Sequence, residues 1–407
     1  MTSVVPSLCV PQPSGSSPIR LPAHIPALNG LRAFACLAVF GVHWQQFTRF
    51  NATWGPFDAR QFLEHGNTGV SLLFTLSAFL ISLRFWAGSW GQGRPWLRQY
   101  VRSRLLRILT PYYLCLAALV AASGHVIAAW DLRDILLHVA FLHNLREESF
   151  YAYNPSFWTL AVQAQAYVLM PVVVVLVLRA SSWAGRAAWL IALVAASYGV
   201  HWATLSLAPS HGAIADWAAS RPTVATHSLL AHAPHFLLGL LAGLIYVRRI
   251  ARPDTPVDGG PSIAREIAVV TIGGAILLIL ATPLDQWFSV PYGRYNLPFV
   301  PIAIAWLILE TPRTRVVRAV LDAPPLHWLG VISFGVYVYH HPCQRVIGAL
   351  LARNGVSVTD HWAVFGAASF ALTIIVASLS FAAIESPILY LAKRQQQRQQ
   401  AVALSAS

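Results

Sequence analysis

Long apolar runs recur along almost the whole chain, and they constrain its fold more than any other feature. We identify ten such runs, near residues 27–47, 68–87, 106–127, 156–178, 187–207, 228–247, 266–283, 296–311, 326–351 and 362–391. A helix needs about 20 apolar residues to cross the hydrocarbon core of a bilayer. Only 11% of the 407 residues are charged, whereas soluble domains contain about 25%. The sequence therefore predicts an all-α, polytopic membrane helix bundle with about ten transmembrane helices.

Charged residues between the runs predict the orientation of the chain in the membrane. Arginines concentrate in every second loop, and most acidic residues lie in the other loops. The basic segments contain Arg94, Arg98, Arg102 and Arg104; Arg179 and Arg186; Arg248, Arg249, Arg252 and Arg265; Arg313, Arg315 and Arg318; and Lys393, Arg394 and Arg398. Because cytoplasmic loops are enriched in Lys and Arg, this alternation predicts both termini in the cytoplasm. It also accounts for the net charge of +13 without a nucleic-acid partner.

The ends of the chain differ in composition from the apolar part. We expect residues 1–24 and 393–407 to be disordered cytoplasmic tails on either side of a transmembrane domain at 25–392. The first tail is rich in Pro and Ser and lacks the short apolar core of a signal peptide. The four cysteines are widely spaced and match neither a disulfide framework nor a metal site. We therefore expect a multi-pass protein of the inner (plasma) membrane, surrounded by lipid and without a metal.

Two ionisable residues interrupt the first apolar run, ALNGLRAFACLAVFGVHW. Arg32 and His43 are eleven residues apart, which on a helix is three turns plus about 20° and a rise of roughly 16 Å. Both side chains therefore project from one helical face, with Arg32 near the cytoplasmic end and His43 well inside the membrane. Ionisable residues at such depth are commonly functional. The alternatives are an Arg32 side chain that reaches the inner interface and a His43 that bonds a neighbouring helix.

Other polar residues of the runs point to the same region. Arg104 and Arg107 lie on one face of the third run, where paired guanidinium groups suit phosphate recognition or simply mark the cytoplasmic side. His340 lies about 21 Å beyond the inner end of its run by helical rise, a depth close to that of His43. Glu385 lies near the inner end of the last run, where a buried carboxylate calls for an arginine partner. Gln163 can bond a ligand or a neighbouring helix.

Seven segments, taken in order, resemble one known family. They are ALNGLRAFACLAVFGVH, GNTGVSLLFTLSAFLI, RLLRILTPYY, FWTLAVQAQAY, HFLLGLLAG, LGVISFGVYVYHHP and IESPILY, and they extend over about residues 25–392. The first resembles a family pattern in which an arginine and a histidine are separated by ten residues. The others resemble segments such as WSLSVExxFY and LGxISYSLYLWHWP. Together they are similar to membrane-bound acyltransferase family 3, whose members acylate hydroxyls of sugars, polysaccharides and some antibiotics.

The resemblance implies transfer of an acyl group, usually acetyl, from acyl-CoA to a hydroxyl of a sugar, glycan or small natural product. The residues that it implies are catalytic His43, Arg32, His340 and Glu385; donor-binding Arg104 and Arg107; and substrate-binding Gln163 and Trp158. His43 would act as general base or form an acyl-histidine, and His340 and Gln163 are candidate donors to the oxyanion.

One departure from the family pattern concerns charge. Gln163 stands where the family carries a glutamate, and a carboxamide can neither act as a base nor carry a negative charge. The alternative function is a small-molecule transporter, which would also have about ten spans and intramembrane histidines. Against a transporter, the sequence contains no evident internal repeat and no matched pair of interrupted helices.

Overall fold

The computed structural model describes residues 19, 21–22, 24–88, 94–123, 129–207, 222–251, 262–282 and 299–388. The α-helices of the described residues are α1 (Leu28–Thr48), α2 (Ala59–Glu64), α3 (Thr68–Trp86), α4 (Arg94–Ala122), α5 (Ala129–Val139), α6 (Phe157–Leu178), α7 (Trp183–Leu207), α8 (Pro222–His227), α9 (Leu229–Ile250), α10 (Ile263–Ala281), α11 (Phe299–Glu310), α12 (Val316–Leu321), α13 (Pro324–Arg353) and α14 (Trp362–Ser380). A π-helical turn, Phe381–Glu385, continues α14. The chain is therefore helical, as predicted.

Each of the ten apolar runs coincides with a helix, but their lengths and apolarity differ. Within the described residues, six helical stretches are long and apolar enough to cross a membrane: Ala59–Trp86, Phe157–Leu178, Trp183–Val200, Thr223–Ile250, Ile263–Ala281 and Trp362–Ile388. Helices α1 and α13 have 21 and 30 residues and contain polar and titratable side chains. The apolar helices support a membrane protein, while the count of ten and the cytoplasmic termini stay predictions.

Some predicted features lie outside the described residues or were not expected. Residues 1–18 and 389–407, which include most of both predicted tails, are outside the described part of the chain. A two-stranded hairpin follows α1, with β1 (Thr53–Trp54) antiparallel to β2 (Phe57–Asp58). Its turn contains Gly55 at φ +60°, a conformation that glycine adopts without a steric cost. The hairpin leads into α2, whose first turn is capped by the Asp58 carboxylate.

Two close helix pairs hold the centre of the bundle. Helix α9 packs along α3, and a Cβ added at Gly239 would overlap the carbonyl oxygen of Thr75. Helix α13 packs along α1, and a Cβ at Gly330 would overlap the carbonyl oxygen of Asn29. Small residues permit such backbone contact between membrane helices. The second pair matters for function because α1 and α13 carry His43 and His340.

An ion cluster joins three helices at the side predicted to be cytoplasmic. The buried carboxylate of Glu310, at the end of α11, lies 2.8 Å from Arg249 and 3.0 Å from Arg313. It also lies 3.3 Å from Arg265 of α10. One acidic residue thus connects arginines from two of the basic loops, and the cluster fixes the ends of α9, α10 and α11 relative to one another.

Candidate active site

Three imidazoles from two helices meet in the core of the bundle. The ring of His43 in α1 lies 5.1 Å from that of His340 and 5.2 Å from that of His341, measured between centroids. All three side chains are buried. His340 and His341 enter from α13, which passes α1 at close range because of Gly330. The structure thus brings together the two histidines, His43 and His340, that the sequence placed at a similar depth.

Hydrogen bonds orient the rings of His43 and His340. His340 Nδ1 lies 2.7 Å from the backbone carbonyl oxygen of Tyr337, which can only accept a hydrogen bond. Nδ1 of His340 therefore carries a proton, and Nε2 of the neutral ring presents a lone pair. His43 Nδ1 lies 2.9 Å from the amide oxygen of Gln46. A neutral His340 accepts at Nε2 and a protonated one donates there, so its role as an oxyanion donor stays a prediction.

The Ser156 hydroxyl lies between the two rings. Its Oγ atom is 3.4 Å from Nε2 of His43 and 3.4 Å from Nε2 of His340. Ser156 precedes α6 and is buried. The Ser156 backbone N–H is held by the side chain of Asn154 at 3.0 Å, and the Asn154 amide donates to the Val338 carbonyl of α13. These contacts fix the loop before α6 against the helix that carries His340.

His43 opens onto a cavity of about 260 Å³, here called the histidine cavity. Its wall also contains Gln46, Ser156, Trp158 and His227. The Trp158 ring packs 4.8 Å from His227, between centroids. Trp158, one of the predicted substrate contacts, therefore forms an aromatic wall of the cavity that contains His43.

A second cavity of about 390 Å³, here called the arginine cavity, contains Arg32 and Arg84 in its wall. Three residues line both cavities: Val70, Thr159 and Tyr337. The Tyr337 hydroxyl lies 2.6 Å from Thr159 Oγ1. The two cavities therefore adjoin at this shared wall, with cationic residues on one side and His43 on the other.

Gln163, the other predicted substrate contact, lines the arginine cavity rather than the histidine cavity. Its amide nitrogen donates to Ser77 Oγ and to the Tyr167 hydroxyl, both at 2.7 Å. The two hydroxyls lie 2.8 Å from each other. Helix α6 thus presents Trp158 to one cavity and Gln163 to the other. Gln163 donates to two hydroxyls in the arginine cavity, and its role as an oxyanion donor stays a prediction.

Of the remaining predicted residues, Arg32 lines the arginine cavity, Glu385 lies apart from both cavities, and the side chains of Arg104 and Arg107 are not described. Arg32 donates to Asn29 Oδ1 at 3.0 Å. Glu385 is buried, accepts a hydrogen bond from Ser380 at 3.2 Å, and is not among the described residues that line either cavity. Its π-helical turn packs against α4. Arg104 and Arg107 belong to α4, but their side chains lie outside the described part of the chain.

Sequence reasoning missed several residues of the site. Ser156, Thr159 and Tyr337 carry no charge, and although Thr159 and Tyr337 lie in family-like segments, their residue types are those of ordinary helix contacts. His227 lies outside the seven family-like segments, yet it lines the histidine cavity. Arg84 follows the family-like segment GNTGVSLLFTLSAFLI by three residues, and no motif in the sequence marks it as part of the site.

A further group of possible metal ligands lies where α13 begins. One ligand atom each from His24, Asp322 and His327 lies within 4.8 Å of the others. Asp322 also accepts from the backbone N–H of Ala27 at 2.7 Å. These contacts connect the segment before α1 to the α12–α13 junction. The expectation that the chain binds no metal stays a prediction.

The fold and the site define a helical membrane protein with a buried histidine cluster between two adjoining cavities, an arrangement suited to group transfer. The chain matches the model of the acyltransferase domain of acyltransferase family 3 over residues 25–381. It belongs to this acyltransferase family. The resemblance found in the sequence is therefore confirmed.

Curated relatives with similar sequences carry names of O-acetyltransferases. The chain is 23% identical over 396 residues to peptidoglycan O-acetyltransferase OatA of Listeria monocytogenes, with 90% of this chain and 56% of the relative covered. It is 24% identical over 391 residues to the putative peptidoglycan O-acetyltransferase YrhL of Bacillus subtilis, with 90% and 55% covered. For O-acetyltransferase OatA of Staphylococcus aureus, identity is 23% over 387 residues, with 90% and 57% covered. The chain thus spans little more than half the length of these relatives. No solved structure matches it significantly.

Proposed function

We propose that this protein is an O-acetyltransferase of the plasma membrane that moves an acetyl group from acetyl-CoA to a hydroxyl of a glycan sugar. The observation that carries the proposal is the buried His43, which lines one cavity and shares a wall with a second, arginine-lined cavity. Family membership supports acyl transfer. The names of the relatives support acetyl as the group and a glycan as the acceptor class.

The acyl donor enters through the arginine cavity. Arg32 and Arg84 supply positive charge there, and Arg104 and Arg107 of α4 would bind phosphates of CoA. A cavity of about 390 Å³ accommodates the pantetheine arm rather than the whole cofactor. The arm would carry the thioester to the shared wall at Thr159 and Tyr337, close to the histidine cluster.

The acceptor enters through the histidine cavity. An aromatic wall at Trp158 and Tyr151 suits the apolar face of a sugar ring, and polar groups at His43 and Gln46 suit its hydroxyls. His43 takes the proton of the attacking hydroxyl, and the oxygen forms a new ester bond with the acyl carbon. The carbon–sulfur bond breaks, and the proton returns to the thiolate of CoA. Donor and acceptor thus reach the histidines from two sides.

The deciding experiment uses the purified full chain with acetyl-CoA, and follows thiol release and acetyl incorporation into peptidoglycan fragments or simpler glycans. We expect thiol release that depends on the acceptor and falls by a factor of about 10² to 10⁴ in His43→Asn, the usual contribution of a general base. His361→Asn serves as the control, because His361 is an exposed histidine before α14. A wild-type chain that releases no thiol, by transfer or hydrolysis, and transports solutes in vesicles would favour a transporter.

A further inference from the structure

The Ser156 side chain forms no helix-capping hydrogen bond, although Ser156 directly precedes a helix. Ser156 occupies the N-cap of α6, where a serine hydroxyl usually accepts a hydrogen bond from a backbone N–H of the first helical turn. Here its side chain forms no such bond. The hydroxyl instead points to Nε2 of His43 and Nε2 of His340, at 3.4 Å each. Asn154 accepts hydrogen bonds from the backbone N–H groups of Ser156 and Phe157, so the Ser156 hydroxyl is directed at the two imidazoles and not at the helix backbone.

The Tyr337 carbonyl, which contacts His340, limits the directions that the Ser156–His340 hydrogen bond can take. Because the Tyr337 carbonyl at 2.7 Å can only accept, Nδ1 of His340 carries the proton. Nε2 of neutral His340 is then an acceptor that faces the Ser156 hydroxyl. Ser156 has a single hydroxyl hydrogen, which the Nε2 lone pair of either ring can accept. When this hydrogen goes to His340, the oxygen lone pairs of Ser156 face Nε2 of His43.

The consequence for His43 differs between its two protonation states. When neutral His43 donates from Nδ1 to the Gln46 amide oxygen at 2.9 Å, its Nε2 carries a lone pair, and the Ser156 hydrogen leaves that lone pair unoccupied when it goes to His340. It is therefore available to an acceptor hydroxyl from the histidine cavity. Once Nε2 has taken that proton, it can donate to Ser156 Oγ. In that state His43 Nε2 donates to Ser156 Oγ, and the Ser156 hydroxyl donates to His340 Nε2.

We propose that Ser156 is a positioning residue of the acyl transfer, whose hydroxyl is oriented by His340 so that His43 is an available base before the reaction and a stabilised cation during it. The proposal rests on the proposed function and deepens it. The proton balance is that of the reaction itself: His43 receives the acceptor proton at Nε2 and returns it to the CoA thiolate after the carbon–sulfur bond breaks. Ser156 forms no covalent bond. Its contribution appears only as the imidazolium forms, so it affects turnover rather than binding.

The test compares Ser156→Ala, Ser156→Thr and Ser369→Ala in the purified full chain. Ser369 is the matched control, because its hydroxyl is also buried but bonds only the backbone of its own helix, at Phe365 and Gly366. We expect Ser156→Ala to lower kcat by about 10- to 100-fold, with the KM for acetyl-CoA unchanged. Ser156→Thr, which keeps the hydroxyl, should retain kcat within about threefold. Ser369→Ala should match the wild type.

A double-variant cycle with His340→Phe separates this role from a local packing role. Because Ser156 acts through His340, the double variant should lose little more kcat than either single variant, whereas independent effects would multiply. A kcat for Ser156→Ala within twofold of wild type would overturn the proposal. Losses that multiply in the double variant, or a threonine variant as impaired as the alanine variant although folded, would also overturn it. Acyl transfer absent from both the wild type and Ser369→Ala would overturn the proposed function and this inference together.

Discussion

The carboxamide of Gln163 donates to the Tyr167 hydroxyl at 2.7 Å, one helical turn further along α6. Ser77 of α3 completes a three-membered network, and all three residues line the arginine cavity. A glutamine thus occupies the family's glutamate position as a hydrogen-bond donor to two hydroxyls. A carboxylate there could accept from the same two hydroxyls, because each can reverse its role.

This network predicts different outcomes for two substitutions of Gln163. Gln163→Glu should keep the thermal midpoint of wild type and kcat within about threefold. Gln163→Leu removes the donor and leaves two hydroxyls with fewer partners, so it should lower the free energy of unfolding by about 1–3 kcal/mol. Thermal unfolding in detergent and the thiol-release assay measure both effects. A folded but inactive Gln163→Glu would contradict the interpretation that the position acts by hydrogen bonding alone.

Arg84 at the arginine cavity should determine affinity for the donor rather than the rate of chemistry. We expect Arg84→Gln to raise the KM for acetyl-CoA about 10- to 100-fold with kcat nearly unchanged, because loss of one charge-assisted hydrogen bond costs about 1.5–3 kcal/mol. Arg353→Gln is the control, since Arg353 is exposed at the far end of α13. The KM for the glycan acceptor should not change in either variant. A raised acceptor KM in Arg84→Gln would show that this cavity takes the acceptor instead.

Glu310 should contribute strongly to stability because three arginines converge on its buried carboxylate. Glu310→Gln leaves these arginines without their anionic partner, and removal of one member of a buried ion pair costs about 3–5 kcal/mol. Glu64→Gln is the comparison, because Glu64 forms an exposed pair with Arg60 whose loss costs at most about 1 kcal/mol. Chemical unfolding in detergent measures both changes. Equal losses in the two variants would contradict the importance of the Glu310 cluster.

A stacked histidine pair between the predicted spans should make stability depend on pH. The rings of His138 and His143 lie 3.9 Å apart at an interplanar angle of 5°. Burial lowers the pKa of His143 from 6.5 to about 2, and nearby His138 adds to this, while burial also lowers the pKa of His138. The folded state therefore binds fewer protons than the unfolded state in acid.

Because the unfolded state binds more protons, acid destabilises the folded state through this histidine pair. Stability from the neutral pair is fully present above pH 6.5 and is lost as the pH falls from 6.5 toward 2, by about 1.4 kcal/mol per pH unit for His143. His143→Phe should show a smaller loss between pH 7 and 5 than the wild type. Unfolding midpoints across that range measure it. Parallel curves for the two proteins would show that His143 does not titrate on unfolding.

Local patterns in the sequence were sufficient to locate the helices. Apolar runs near 20 residues predicted α3, α6 and α14 because hydropathy is a property of consecutive residues. Within the 296–311 run the structure describes the 12-residue helix Phe299–Glu310, so the length of this span stays a prediction. Spacing on one helix also placed Arg32 and His43 on one face, which depends only on helical geometry.

The sequence alone determined a helical membrane chain and a family resemblance carried by motifs at His43, Arg32, His340 and Gln163. Only the tertiary structure decided that Ser156 lies between His43 and His340, and that Trp158 and Gln163 face different cavities. The physical reason is that these relations depend on which helices touch and at what register. Close backbone contact between α1 and α13 at Gly330, and the Asn154 contact to Val338, set that register across distant parts of the chain.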